Sequence, residues 1–94
     1  MVIVTKKAAA VLKAAKAAEG ASPDAGIRIL KGTIPDEPNT LTVGFAITDD
    51  PRPDDEEFEE QGLRIFVEDA LIEPLDGRTL DVREANDGPE LVWR

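Results

Sequence analysis

The sequence contains no cysteine, no histidine and no tyrosine. Without thiols or imidazoles there is no disulfide, no zinc or haem ligation through those groups, and no nucleophile–histidine pair. Nucleophilic catalysis loses its remaining parts too, because Ser22 is the only serine and precedes Pro23 in a turn-like stretch with nothing to activate it. Aromatic residues are scarce, one tryptophan and three phenylalanines, so aliphatic side chains must fill the core. No strictly apolar run exceeds five residues, the length of Ala8–Leu12, against the roughly 20 that a membrane span requires. Residues Met1–Lys7 place their lysines after the apolar stretch, the reverse of a secretory signal, so the expected compartment is the cytoplasm. The phosphate-cradling patterns GxGxxG and GxxxxGK[ST] are absent as well. Catalysis is therefore not expected.

What is present is a 94-residue chain of net charge −9. Residues 1–94 read as one small domain, and a chain of this size buries only about 60–65% of its unfolded surface. The acidic excess argues against nucleic acid or an anionic membrane as partner. Charge is also uneven: residues 1–31 carry +4 and residues 32–94 carry −13. The basic part is mostly one helix. Thr5 stands where an N-cap belongs, Ala8, Val11, Leu12 and Ala15 recur at helical spacing, and Gly20 supplies the C-terminal stop. Lys6, Lys7, Lys13 and Lys16 fall on the remaining faces as a solvated polar surface.

Beyond Gly20 the period changes to two. Gly26–Lys31, Leu41–Ile47 and Leu63–Glu68 alternate apolar and other residues as strands do, and Thr79–Arg83, Leu91–Trp93 and Val2–Val4 are shorter candidates. Asn86–Pro89 is a turn signal between two of them. Asp69–Leu75 reads as a short helix with Asp69 as its cap, limited by Pro74 and closed by Asp76-Gly77. The sum is α+β: one long and one short helix packed on five or six mixed and antiparallel strands. Val11, Leu12, Ile27, Ile29, Val43, Phe45, Ile65, Val67 and Leu80 form the expected core. Losing the Phe45 ring from such a core would cost about 3–5 kcal/mol.

Two segments interrupt the alternation. Gly32–Asn39 holds two prolines and reads as a loop between strands. Asp49–Glu60 packs eight carboxylates around one arginine and one phenylalanine, and reads as a solvated acidic loop anchored by Phe58. Its acids, Asp49, Asp50, Asp54, Asp55, Glu56, Glu57, Glu59 and Glu60, are the candidate interaction surface, facing a protein partner with a basic surface. A calcium loop would need oxygens at alternate positions and a glycine at the sixth, where this run has prolines and an arginine.

The order of elements, with particular residues, resembles the HesB-like family of A-type iron–sulfur carriers, also called IscA-like. Val2–Thr5 before an alanine-rich helix is similar to the family's opening, Gly26-Ile27-Arg28-Ile29 to its GLRI strand, and Glu57–Glu68 to its vfe-dGv-vfvd segment. Most specific is Leu75-Asp76-Gly77-Arg78-Thr79-Leu80-Asp81-Val82, which is similar to the family's L-G-T-L-D signature. The resemblance covers nearly the whole chain and implies a HesB-like domain over residues 1–94. It also implies iron or cluster binding by three cysteines, one in a glycine-rich loop and two in a C-terminal tail. Here the loop reads Gly32–Asn39 and Arg94 follows Trp93, so no ligand position carries over.

The expectation is a non-catalytic member without its ligands: no cofactor, no resident metal, and a binding or scaffold role. Asp36 and Glu37, in the equivalent loop, are the only metal candidates, as weak ligands for ferrous iron. Two alternatives stand beside this reading, a carrier that borrows cluster ligands from a partner and an acidic-loop binder of divalent cations. Copies could also associate weakly through a sheet edge.

Overall fold

The computed structural model describes the backbone of residues 1–34 and 37–94, and side-chain surroundings outside residues 33–42. Strand β1 (Ile3–Val4) leads into helix α1 (Lys6–Ala18), then strands β2 (Gly26–Ile34), β3 (Glu37–Thr48), β4 (Glu56–Glu60) and β5 (Leu63–Val67). Helix α2 (Asp69–Leu75) and the strands β6 (Thr79–Ala85) and β7 (Gly88–Trp93) complete the chain.

The α1 boundaries follow from local chemistry. The Ala8 amide donates to Thr5 Oγ1 at 3.1 Å, which satisfies one of the unpaired amides of the first turn. At the other end the Gly20 and Ala21 amides donate to the carbonyls of Ala17 and Lys16, the paired bonds of a Schellman stop. Only the first half of the helix is docked. Ala8, Ala9 and Leu12 are buried, Val11 is half-buried, and Ala15 is exposed, so the expected stripe is turned toward Ala9.

Two sheets face the core. One is β1-β6-β7, with β1 parallel to β6 and β7 antiparallel to it. The other has the order β3-β2-β5-β4, where β2 and β5 run parallel and the outer pairs are antiparallel. Side chains alternate between faces, so Ile27 and Ile29 of β2 and Leu63, Ile65 and Val67 of β5 join Val2, Val4, Leu71, Leu75 and Leu80 in one cluster. Val43, Phe45 and Ile47 of the edge strand β3 pack against that cluster but stay half-buried, as does Trp93, which stacks on Phe45 at a centroid distance of 6.3 Å. Val43 and Phe45 therefore line the core rather than fill it, because an edge strand has cover on one side only.

The acidic run is not all loop. Glu56–Glu60 is a strand, with Phe58 opposite Ile65 and turned toward the core. A two-residue turn joins it to β5, with Gln61 at φ 52° and Gly62 at φ 78°, the left-handed pair that matches strand twist. Carboxylates on both faces are tolerated because β4 is an edge strand, where charge also discourages pairing with another chain.

The expected loop Gly32–Asn39 is likewise shorter than its prolines suggest. β2 continues to Ile34 and β3 begins at Glu37, with Ile34 opposite Glu37. Pro38 falls in β3, an edge strand, the setting in which a sheet accepts proline. The strands number seven among the described residues, one more than the upper expectation. The N-cap position of α2 is Glu68, whose side chain makes no cap bond, rather than Asp69, which lies inside the first turn. Glu68 instead ties α2 to β2: its amide donates to the Ile29 carbonyl at 2.9 Å and its Oε2 accepts from the Lys31 amide.

Candidate functional site

The outer face of the four-stranded sheet carries a polar cluster centred on Arg28 and Asp55. Arg28 alternates with Ile27 and Ile29 and so projects away from the core, beside its β5 partner Phe66. Residues 49–55 return across the sheet end with Pro51 and Pro53 limiting their freedom. Asp55 accepts both Arg28 Nε at 2.8 Å and Arg28 Nη2 at 3.0 Å. Asp55 Oδ2 also accepts the Arg52 amide at 3.0 Å. The Asp55 side chain is only 2% exposed and that of Arg28 12%. The Arg28 hydrogen bonds hold the Asp55 carboxyl below the ordinary carboxylate range, against the opposing effect of burial and with help from the Arg52 amide. The same pair raises Arg28 above its ordinary value.

Phe66, fully buried, completes this face. Its ring lies under the Arg64 guanidinium at 5.0 Å. Arg64 also donates to the Asp24 carbonyl at 2.7 Å and to Glu57 Oε2 at 3.2 Å. Gly26 leaves room for the ring: a Cβ there would stand 2.7 Å from Phe66 and 2.6 Å from the Arg64 carbonyl oxygen. Neither Phe66 nor the Arg28–Asp55 pair stood out from the sequence. Two signals were present, a lone arginine inside the apolar strand GIRILK and the adjacent pair Ile65-Phe66, which breaks alternation where both faces of a strand are covered.

The eight candidate acids thus divide. Asp55 is turned inward to Arg28 and is not surface. Glu57 and Glu59 project from the outer face of β4, Glu57 paired with Arg64. Glu56 and Glu60 flank Phe58 on the inner face, half-buried, and Glu60 Oε2 lies 3.5 Å from the Val4 amide. Asp49, Asp50, Asp54 and Glu59 are exposed and join no ion pair among the described residues. Among the described residues no three carboxylates converge on a point that could hold a metal ion. Asp36 lies outside the described residues, as does the Glu37 side chain.

A second cluster links the two chain ends to α1. Thr5 Oγ1 donates to Asp81 Oδ1 at 3.0 Å while accepting the Ala8 amide, so Asp81 orients the helix cap. Asp81 also accepts the Val82 amide at 2.8 Å and Arg94 Nε at 2.9 Å. These bonds, the Val82 amide first and then Thr5, hold the Asp81 carboxyl below its ordinary range. Asp81, the second aspartate of the L-D-G-R-T-L-D segment, is therefore a cap-orienting residue.

Asp55 and Asp81 set an acid limit on stability. A carboxyl with a lowered folded pKa stabilises the fold above its unfolded value and loses that contribution as pH falls through the folded one. The urea midpoint is expected to be level near neutrality and to fall once the pH drops below about 4, where unfolded carboxylates begin to protonate. Asp81→Asn should be less stable at neutral pH and show a shallower acid fall. An equally steep fall in Asp81→Asn would remove Asp81 from the account.

No family model matches the chain, and no curated protein matches it. Solved structures do. The crystal structure of IscA with the [2Fe-2S] cluster is 22% identical, with a TM-score of 0.76, and the match covers 100% of this chain and 81% of that one. The crystal structure of Escherichia coli SufA, described as involved in biosynthesis of iron–sulfur clusters, is 19% identical with a TM-score of 0.76, covering 99% of this chain and 83% of that one. The chain has the α+β fold of these proteins, as the sequence resemblance implied.

Proposed function

We propose that this protein is a non-catalytic binding module built on the fold of iron–sulfur carriers, one that holds no cluster through its own side chains and acts by protein contact. One observation carries the reading: the carrier fold is present over the full chain while cysteine and histidine are absent from all 94 residues. Cluster irons are held by thiolates, with imidazole as the usual substitute, and no other side chain here replaces either. Likeness to proteins named for a bound cluster and for cluster biosynthesis supports a place beside such assembly, as a contact partner of a component that does carry ligands. Residues 1–94 would act as one domain, in the cytoplasm.

The contact surface is assigned to the exposed acids Asp49, Asp50, Asp54, Glu57 and Glu59, which suit a partner with a basic surface. Such a complex weakens as salt screens it. The test uses the tagged protein and a variant with Asp49, Asp50 and Asp54 changed to asparagine and Glu59 to glutamine. A partner retained by the parent at low salt should be lost both from the variant and at raised salt. Equal capture by parent and variant would contradict the assignment.

A further inference from the structure

The sequence contains two Asp-Gly steps, Asp76-Gly77 and Asp87-Gly88. Among aspartyl steps this dipeptide is the one most prone to intramolecular rearrangement, because glycine leaves its amide nitrogen unshielded. The nitrogen attacks the aspartate Cγ, an N–Cγ bond forms and one water leaves, giving a five-membered succinimide. Water then adds back at either carbonyl. One product is aspartate; the other is isoaspartate, of identical mass, with the backbone routed through the side-chain carboxyl.

The fold treats the two steps differently. At Asp76 both reacting groups are engaged. The carboxylate is ion-paired with the Met1 amino group, and the Gly77 amide donates to the Met1 carbonyl at 3.0 Å. Attack there would break the ion pair and the backbone bond together. Asp87 keeps one of these restraints, since Gly88 is the hydrogen-bonded ladder partner of Ala85 across the turn, but lacks the other. It is the second residue of the two-residue turn Asn86-Asp87 between β6 and β7, exposed, and its carboxylate takes part in no ion pair among the described residues. Gly88 sits at φ 113°, a conformation that residues with a Cβ rarely adopt, and a Cβ placed on it would meet nothing within 4 Å.

We infer that Asp87 is a spontaneous modification site of the folded protein, converting to isoaspartate while Asp76 is protected by its contacts with Met1. The change has a structural consequence. Isoaspartate inserts one extra backbone carbon into the turn that fixes the β6–β7 register, in which Leu80 faces Trp93 and Val82 faces Leu91. Slippage of β7 would carry Trp93 away from Phe45, on which it stacks.

The test ages the full-length folded protein in mildly acidic to neutral buffer at physiological temperature. Peptide mapping with fragmentation that distinguishes isoaspartate then reads both sites, and a parallel sample is kept in urea. Conversion is expected at Asp87 well ahead of Asp76 in the folded protein, with the gap between the sites narrowing in urea and Trp93 emission shifting as Asp87 converts. Asp87→Glu, which would need a slower six-membered ring, should keep the fold and abolish both the conversion and the emission drift. Conversion at Asp76 as fast as at Asp87 in the folded protein, or none at Asp87, would overturn the inference.

Discussion

Phe66→Ala is expected to destabilise the protein by about 3–5 kcal/mol, the range for removing a fully buried aromatic side chain, out of the roughly 5–15 kcal/mol that holds a typical domain folded. Phe66 is 0% exposed and belongs to the outer face of the sheet, where Gly26, Arg28 and Arg64 surround its position. The gap left by its loss is bounded by strand backbone and by two arginines held in hydrogen bonds, so little can collapse into it. Phe45→Ala is the control. Its ring is half-buried and stacked on Trp93 at the sheet edge, so its loss should cost less than the 3–5 kcal/mol range for full burial. Urea midpoints of the two variants decide the matter, and a larger loss for Phe45→Ala would reverse this view of the core.

Arg28→Met should cost about 3–5 kcal/mol at neutral pH, because it leaves the Asp55 carboxylate buried without its counter-charge. The pair itself need not be strongly stabilising. Two charges taken out of water lose hydration that their attraction only partly restores, so a well-packed apolar replacement of both can be nearly neutral. The double change Arg28→Met with Asp55→Leu is accordingly expected to recover much of the single variant's loss. The pH dependence gives an independent reading. Without Arg28 the main hydrogen bonds that lower the Asp55 pKa are gone and only the Arg52 amide is left to oppose burial, so the variant's penalty should shrink as the buffer is acidified and Asp55 becomes neutral. A penalty that stays constant from neutral pH to pH 4 would mean that the lost packing of the arginine stem, not the stranded charge, is what the substitution exposes.

What the sequence disclosed follows the range of the forces involved. Thr5 and Gly20 act on their own neighbours, and the limits they imply for α1 are the limits found, whereas Pro74 lies inside α2, which runs on to Leu75. Alternation located six of the seven strands for the same reason. Strand β4 was hidden because five consecutive residues, four of them glutamates, look like loop by composition. Its pairing depends on Phe58 meeting Ile65 across a turn, a contact that alternation counts cannot weigh. The two prolines near residue 36 suggested a longer loop because their cost depends on whether the strand is an edge, and strand order is a tertiary fact.

The candidate site was legible only as a list of charges. Eight carboxylates could be counted, but the arginine that takes Asp55 out of the surface lies 27 residues earlier. The Thr5–Asp81 bond spans 76 residues, so a helix cap that reads as local is completed from the far end of the chain. The absence of cysteine and histidine needed no structure. Its meaning did, since the same absence on another fold would say nothing about iron.

The central claim is that a carrier fold persists here without the means to carry. Anaerobic reconstitution of the purified full-length protein with ferrous iron and sulfide, followed by desalting, visible absorption and iron counting, tests it most directly. The account predicts a colourless protein with iron at the level of a blank; a stable brown product with stoichiometric iron and sulfide, formed without added thiols or partner, would contradict it.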